Sequence, residues 1–261
     1  MKASSTLAAL CQRSSTRKFT ADVVSDAQRE AVLHAALRAP SAGAMMMYSI
    51  IDIQNKETIE KLSVLADNQS FIAKAPWALV FVADYCKWID LFEHNHCFDI
   101  EDVAHERKKP GFAELMLAVQ DTMLAAGNAM TAAEAVGLGS CFIGDVLENA
   151  EEIRELLDLP EYTLPLSMLV IGEPVKKRPQ TPHPISNLVM HEKYSRATPE
   201  MLVAQTSEMG AMFCPHSPDS GARIRDIYTR KHTSDFVHEM ERSVRVWFDN
   251  WCGSSQSTDT K

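Results

Sequence analysis

Three residues near the start of the chain place two positive charges and a hydroxyl at alternate positions. Arg13, Ser15 and Arg17 lie within the run CQRSSTRKFT, residues 11–20. Alternate side chains of an extended chain project to the same side, so these groups would face one way. Arginine donates through a planar fork that matches the oxygens of a phosphate. The pattern indicates an anion-binding segment, and a solvated basic turn after a helix is the alternative.

A second pair of cations occurs far along the chain at the same spacing. Lys176 and Arg178 belong to the stretch VIGEPVKKR, which leads from an apolar run into a proline-rich segment. In an extended chain they too would project to one side. Taken alone, these residues favour a solvated charge cluster.

Two other groups of potentially reactive residues give only weak evidence for a functional site. His94, His96 and Cys97 in EHNHC, with His105 further on, match no standard zinc spacing, so we expect a solvated loop and no metal. Cys141 in GSC has no recognisable partner spacing for a nucleophile. We therefore expect a small buried thiol.

The composition of the chain restricts its function further. Of 261 residues, 46% are hydrophobic and 23% charged, and the net charge is -9, which argues against a general nucleic-acid binder. No apolar run approaches the roughly 18 residues that cross a bilayer. The six cysteines are scattered without a C-x-x-C pair, and the opening apolar run is too short for an export signal. We expect reduced thiols in a cytoplasmic protein without a membrane partner.

The hydrophobic pattern mixes strands with helices, which is typical of a layered α/β or α+β domain. Ser25 and Gln28 form a capping box for a helix that Pro40 closes. The other predicted elements are strands at 48–53, 78–84 and 164–174, helices at 56–66, 112–139 and 233–251, and a short strand or turn at 140–146 followed by a helix at 149–159. Residues 85–112 show no clear hydrophobic period, so we expect a long loop or lid there.

The C-terminal quarter of the chain differs from the rest. We expect one domain over 1–197 and, over 198–261, an arm that lacks the apolar content for its own core. Residues after about 252 should be disordered. The basic segment 223–232 is either a solvated part of the arm or a contact for a nicotinamide ribose phosphate.

Five segments in order, spread over residues 6–195, together resemble the FMN-dependent nitroreductases. They are RSSTRKF at 13–19, APSAG at 39–43, Gln69 ahead of an Ala-Pro and an apolar strand, AAEAVGLGSCFIG at 132–144, and LVIGEPVKKR followed by VMHEKY at 189–194. Each segment is weak alone, and their order gives the signal its specificity. The resemblance implies an α+β fold with a central, mostly antiparallel sheet flanked by helices, and a C-terminal arm.

The resemblance also implies where FMN would bind. The residues that match the family's cofactor site are Arg13, Ser15, Arg17, Lys176 and Arg178 for the phosphate and ribityl tail, and Ser41, Gln69, Ile143 and Gly144 for the ring. No catalytic side chain is assigned, because the flavin N5 carries the chemistry. A cation near N1 and O2 favours reduced FMN, and Arg17 is the candidate for that role.

The chain departs from the family pattern after APSAG. Ala44 and Met46 stand where many members have Asn and Gln, so methionines would form a pliant apolar wall beside the flavin. The departure weakens any inference about the acceptor substrate.

The resemblance predicts an NAD(P)H-dependent FMN oxidoreductase that works by a ping-pong mechanism. Electrons from NADH or NADPH would pass to a nitroaromatic, a quinone, a flavin or an unsaturated metabolite. We expect a homodimer with FMN at the interface and the arm embracing the partner. The alternative is an FMN-storage or redox-responsive protein with little turnover.

Overall fold

The structure is a computed structural model that describes residues 5–99, 109–176, 188–213 and 219–253. These residues divide into two compact units, one within 1–178 and 239–261 and the other within 179–238. Every described residue of the predicted cofactor site lies in the first unit. Arg178 and the tail after 253 lie outside the described residues.

The elements follow one another in a mixed order, as the hydrophobic pattern predicts. They are α1 Ser5–Gln12, α2 Asp26–Leu37, β1 Tyr48–Ile53, α3 Lys56–Leu65, β2 Trp77–Asp84, α4 Cys86–His94, α5 Phe112–Ala135, β3 Gly139–Ile143, α6 Ala150–Leu157, β4 Thr163–Gly172, α7 Pro199–Phe213, α8 Ser220–His232 and α9 Asp235–Trp251. None of the helices in the described ranges has the length and apolar character needed to cross a membrane.

The four strands form one antiparallel sheet in the order β1-β2-β4-β3. The two central strands, β2 and β4, are buried along nearly their whole length. Both faces of these strands must therefore be covered by helices. The predicted α+β class with a mostly antiparallel sheet is confirmed.

Two hydrophobic clusters cover the two faces of the sheet. Alternate residues of β2 enter different clusters, with Val80 and Val82 in one and Leu79 and Phe81 in the other. This is the two-residue period of a strand covered on both sides. Helix α5 serves both clusters, because its first half packs in one and its second half in the other.

Local signals in the sequence explain the start of α2. The backbone N–H of Gln28 donates to Ser25 Oγ at 3.3 Å, and the N–H of Ser25 donates to Gln28 Oε1 at 3.1 Å. The predicted capping box is therefore present. It satisfies two backbone donors at the helix end.

The prediction that residues 85–112 are irregular is wrong for their first part, which forms α4. Ile89 is buried and Trp88 half-buried, while Asp90 and Glu93 are exposed. The segment is therefore amphipathic at helical spacing, a signal masked by its histidines and charges. Trp88 Nε1 donates to the carbonyl of Met45 at 2.9 Å, so α4 packs against the loop before β1.

The last helix, α9, is anchored in the core of the first unit by two tryptophans. Trp247 and Trp251 are both fully buried. Trp247 Nε1 donates to the carbonyl of Leu147 at 3.0 Å, and Trp251 Nε1 donates to that of Gly111 at 3.1 Å. Both indole donors are thus satisfied where burial would otherwise make them costly.

An ion network on α9 should make stability depend on pH. Arg242 binds Glu151 at 2.8 Å and Glu239 at 2.8 Å. The Arg242 hydrogen bond lowers the pKa of the Glu239 carboxyl from 4.5 to about 2. A depressed pKa stabilises the folded state above the unfolded value and is lost as pH falls through the folded one. We expect the free energy of unfolding to decline from about pH 4.5 towards pH 2.

Chemical denaturation over that pH range measures this effect. The Glu239→Gln variant should show a flatter profile, by on the order of 1 kcal/mol because the pair is partly solvated. Glu241→Gln, an exposed carboxylate on the same helix, is the control. Equal profiles for wild type and Glu239→Gln would contradict the assignment.

The second unit contains α7 and α8, which contact each other. The basic segment 223–232 lies in α8, where Arg230 Nε donates to Asp226 at 2.9 Å. The ring of Tyr228 stacks on that of His232 with centroids 5.6 Å apart. Part of the positive charge of α8 is therefore paired within the helix itself.

Candidate functional site

The N-terminal basic segment extends the sheet beyond β3. The backbone N–H of Thr16 donates to the carbonyl of Ser140 at 2.8 Å, and that of Val175 donates to the carbonyl of Lys18 at 3.1 Å. The segment is therefore held in extended form between β3 and the chain that follows β4. The extended part begins near Ser15, because the N–H of Arg13 still donates to the carbonyl of Ala9 at 3.1 Å as in the last turn of a helix.

A glycine at position 139 lets the N-terminal segment lie this close to β3. A Cβ on Gly139 would clash with the side chain of Thr16, so only glycine permits the close approach. The predicted helix at 112–139 is too long, because α5 ends at Ala135 and Gly139 begins β3. Gly137, with φ +90°, makes the turn.

The segment and Lys176 line one cleft of about 220 Å³. The residues around it are Ser14, Ser15, Thr16, Arg17, Lys18, Val175 and Lys176. Two parts of the chain that are far apart in sequence thus bring their cations and hydroxyls together. A phosphate group fits this set of donors.

The thiol of Cys141 shows that three predicted side chains share one environment. Cys141 is buried, as expected, and burial raises the pKa of its thiol. The positive charges of Arg17 and Arg13 and a hydrogen bond with Ser15 act in the opposite direction on that pKa. These three side chains therefore lie near the Cys141 thiol, and of the three, Ser15 and Arg17 line the cleft while Arg13 does not.

A third segment reaches the cleft through an aromatic contact. The guanidinium of Arg17 lies 5.8 Å from the centre of the Phe71 ring, in cation–π range. Phe71 follows Gln69 by two residues, so the predicted ring contact lies close to the predicted tail contacts. Sequence reasoning did not single out Phe71.

Gln69 is joined in turn to the loop after β3. Gln69 Nε2 donates to Asp145 Oδ2 at 2.5 Å and to the carbonyl of Ala66 at 3.1 Å. Asp145 directly follows Gly144, which follows Ile143 at the end of β3. The structure thus brings Gln69, Ile143 and Gly144 together.

The backbone at Gly144 shows whether this loop leaves room for a flat ring. It is exposed with φ -81°, a conformation open to any residue, so no turn requires glycine here. A Cβ at Gly144 would meet no atom within 4 Å. The open space in front of its backbone suits close approach of a planar ligand.

Ser41 has a different surrounding from the other predicted residues. Its hydroxyl donates to the buried carboxylate of Asp121 at 2.6 Å and accepts from the N–H of Met46 at 2.6 Å. Asp121 also accepts from the N–H groups of Ala42 at 2.8 Å and Met47 at 3.3 Å. Ser41 therefore shapes the loop at 41–47, and its contact with the flavin ring stays a prediction.

The same loop carries the departure noted in the sequence. Gly43, Ala44 and Met46 all have positive φ, at 57°, 57° and 48°. Such a backbone is strained for residues with side chains and persists only where the surroundings hold it. The four hydrogen bonds of Ser41 and Asp121 supply that hold. Met46 is exposed, as an apolar wall requires.

The described residues hold no alternative centre for metal chemistry. In ranges 5–99, 109–176, 188–213 and 219–253, no group of three or more His, Cys, Asp or Glu is arranged around a metal position. His94, His96 and Cys97 are exposed at the end of α4 and just beyond it.

Comparison with known protein families identifies the family of this chain. Residues 10–173 match the Nitroreductase family, which is more than half of the chain. The chain belongs to the nitroreductase family. The resemblance inferred from five sequence segments is thereby confirmed.

Named relatives extend over most of this nitroreductase. An oxygen-insensitive NADPH nitroreductase of Salmonella typhimurium is 36% identical over 211 residues, 80% of this chain and 82% of the relative. An FMN reductase [NAD(P)H] of Bacillus subtilis is 34% identical over 184 residues, 70% of this chain and 72% of the relative. The solved structure of B. megaterium NfrA1 gives a TM-score of 0.80 at 26% identity, covering 94% of this chain and 98% of that one.

Sequence reasoning missed two acidic residues of this nitroreductase site, Asp121 and Asp145. Asp121 is only 2% exposed and is the one charged residue among the buried residues described for α5, which are otherwise alanines, Leu115 and Thr122. A charged residue in such surroundings is a signal, because an unpaired buried carboxylate is costly. Asp145 gave no comparable signal, since its partner Gln69 is 76 residues away.

Proposed function

We propose that this protein binds FMN in the cleft between residues 13–18 and Lys176 and transfers electrons from NADH or NADPH to a small organic acceptor. One observation supports the proposal above the others. Arg17, Lys18 and Lys176 line a single cleft, and Arg17 connects it to the segment that carries Gln69. The phosphate of one ligand would fit the cleft, and its aromatic ring would fit beside the segment that carries Gln69.

The class of the enzyme and its cofactor follow from the family. The protein is an NAD(P)H-dependent oxidoreductase, and FMN is its cofactor. The acceptor, which we take to be a nitroaromatic, quinone, flavin or unsaturated metabolite, and the ping-pong order are proposals. A cytoplasmic location is a proposal as well.

The chemistry that FMN supplies when bound is the acceptance of a hydride equivalent from the nicotinamide and the delivery of electrons to the second substrate. The residues of the protein would bind FMN and orient its ring. Arg13, Ser15 and Lys176 would hold the phosphate, and Arg17 would place positive charge near the ring. Backbone N–H groups at Ile143 and Gly144 would face the ring edge, and Arg178 would add a further cation to the tail.

We propose a homodimer on the basis of the outward face of α5. Large apolar side chains there are exposed, with exposed fractions of 62% for Phe112, 56% for Met116, 43% for Leu117, 41% for Met123 and 47% for Leu124. Several large apolar side chains exposed on one helix mark a surface that another protein covers. A second copy of the chain, with the arm at 198–261 embracing it, would cover this surface.

Anaerobic mixing of the FMN-loaded protein with NADH or NADPH tests the proposed function. Absorbance near the flavin maximum should fall rapidly with at least one nicotinamide, because a ring at the exposed Gly144 loop would leave room for a second ligand. After anaerobic gel filtration removes the nicotinamide, a quinone or nitroaromatic should restore the colour, as a ping-pong order requires.

Absence of bleaching with both nicotinamides would contradict the proposal. It would favour the alternative of a protein that stores FMN or responds to its redox state. Free FMN mixed with each nicotinamide under the same conditions is the control for slow chemical reduction.

A further inference from the structure

The amide of Gln69 has both of its hydrogens engaged within the protein. Nε2 donates one to Asp145 Oδ2 at 2.5 Å and one to the carbonyl of Ala66 at 3.1 Å. A primary amide has two donor hydrogens and one acceptor oxygen. Among the described residues no protein group donates to Gln69 Oε1, so this oxygen is what the residue can offer to a ligand.

The orientation of this amide is settled by chemistry. Rotating the amide by half a turn would place its oxygen against the carboxylate of Asp145 and the carbonyl of Ala66. Both are acceptors, so the two hydrogen bonds would become two repulsions. The Asp145 contact is the stronger of the two restraints, because hydrogen bonds to a charged group exceed those to a neutral one.

Asp145 is itself held in place. It begins the short turn Asp145–Leu147, which Gly144 precedes. Asn149 Nδ2, from the end of the same loop, donates to the carbonyl of Leu65 at 2.7 Å. The loop and the end of α3 are therefore joined at two points, at Leu65 and through Gln69. Neither partner of the Gln69–Asp145 pair can swing away easily.

We propose that Asp145 is a positioning residue that fixes the Gln69 amide with only its oxygen free, so that the ring subsite requires a hydrogen-bond donor on its ligand. The inference rests on the proposed function, in which Gln69 meets the pyrimidine side of FMN. On that side N3–H is the donor, and the neighbouring carbonyl oxygens are acceptors. The subsite would therefore select flavins that keep the hydrogen at N3.

The selectivity has a direct physical source. A ligand with a methyl group at N3 gives Gln69 Oε1 nothing to accept and leaves that oxygen facing an apolar group. The amide cannot turn to present a donor instead, because Asp145 and Ala66 hold both hydrogens. Removing Asp145 would free one hydrogen and let the amide adapt to either ligand.

Binding of FMN and N3-methyl-FMN to the flavin-free protein tests the proposal without any turnover. Dissociation constants come from quenching of flavin fluorescence for wild type, Asp145→Ala, Asp145→Asn and Gln69→Ala. Wild type should prefer FMN by about tenfold, the value of one hydrogen bond left unmade. In Asp145→Ala the preference should fall to about twofold. Asp145→Asn, which still has an oxygen to accept from Gln69, should keep most of it.

The ratio of the two constants separates positioning from simple destabilisation. A loosened fold would weaken both ligands equally and leave the ratio unchanged. Glu155→Ala removes an equal charge from an exposed site on α6 and should leave the ratio at the wild-type value. An Asp145→Ala ratio equal to wild type would overturn the proposal.

The Gln69→Ala variant distinguishes failure of this inference from failure of the proposed function. If it weakens FMN and abolishes the preference while Asp145→Ala changes neither, Gln69 meets the flavin but Asp145 does not position it. If Gln69→Ala leaves both constants unchanged, the proposed placement of the flavin is wrong and this inference is overturned with it.

Discussion

Replacing both Arg13 and Lys176 with alanine should lower the affinity for FMN by about a hundredfold to ten-thousandfold. Each cation is expected to donate a charge-assisted hydrogen bond to the phosphate, at about 1.5 to 3 kcal/mol per bond. Lys176 lines the cleft directly, and Arg13 shares the environment of Ser15 and Arg17 beside Cys141. Equilibrium dialysis, or the colour retained after gel filtration, measures the loss.

The controls for this prediction come from the ligand and from the surface. Riboflavin, which has no phosphate, should bind the variant and wild type with similar affinity. Arg245→Ala removes an exposed cation on α9 and should leave FMN binding unchanged. A double variant that binds FMN as tightly as wild type would show that the phosphate does not bind in this cleft.

Replacing Asp121 with alanine should lower the free energy of unfolding by about 3 kcal/mol or more. Three donors would lose their acceptor: the hydroxyl of Ser41 and the N–H groups of Ala42 and Met47. A buried donor left unsatisfied costs about 1 to 3 kcal/mol. The strained backbone at 43–46 would also lose its restraint. Denaturant-induced unfolding measures the change.

Two further variants bracket this result. Asp121→Asn keeps one oxygen as an acceptor but turns its NH2 group towards a donor, so an intermediate loss of about 1 to 2 kcal/mol is expected. Glu155→Ala changes an exposed residue on α6 and should lie within about 0.5 kcal/mol of wild type. A loss below 1 kcal/mol for Asp121→Ala would mean that the loop is held by other contacts.

The strands with a clear period could be predicted from the sequence to within about two residues, whereas α5 ends four residues before its predicted end. Strand β1 has the predicted bounds, and β2 begins one residue earlier than expected. Alternation or continuous apolar character determines such strands locally. Helix α4 was missed because its apolar positions are only three or four, set among histidines and charges. Its formation depends on burying Ile89 and half-burying Trp88 in a core that the local sequence does not reveal.

The site was predictable where chemistry repeats along the chain and not where it depends on distant partners. The i, i+2 spacing predicted a common side for Arg13, Ser15 and Arg17, and Ser15 and Arg17 line one cleft, whereas Arg13 lies at the end of α1 and does not line it. The Gln69–Asp145 and Ser41–Asp121 pairs join residues 76 and 80 positions apart. Only the packing of α5 and of the loop after β3 brings those partners together, so no local pattern could name them.

A structure of the protein with FMN bound is the measurement that tests the central claim most directly. The account predicts the FMN phosphate within hydrogen-bond distance of Arg13, Ser15 and Lys176, and flavin N3 facing Gln69 Oε1 while Asp145 holds the amide hydrogen. A phosphate bound elsewhere, with residues 13–18 and Lys176 facing only solvent, would contradict it.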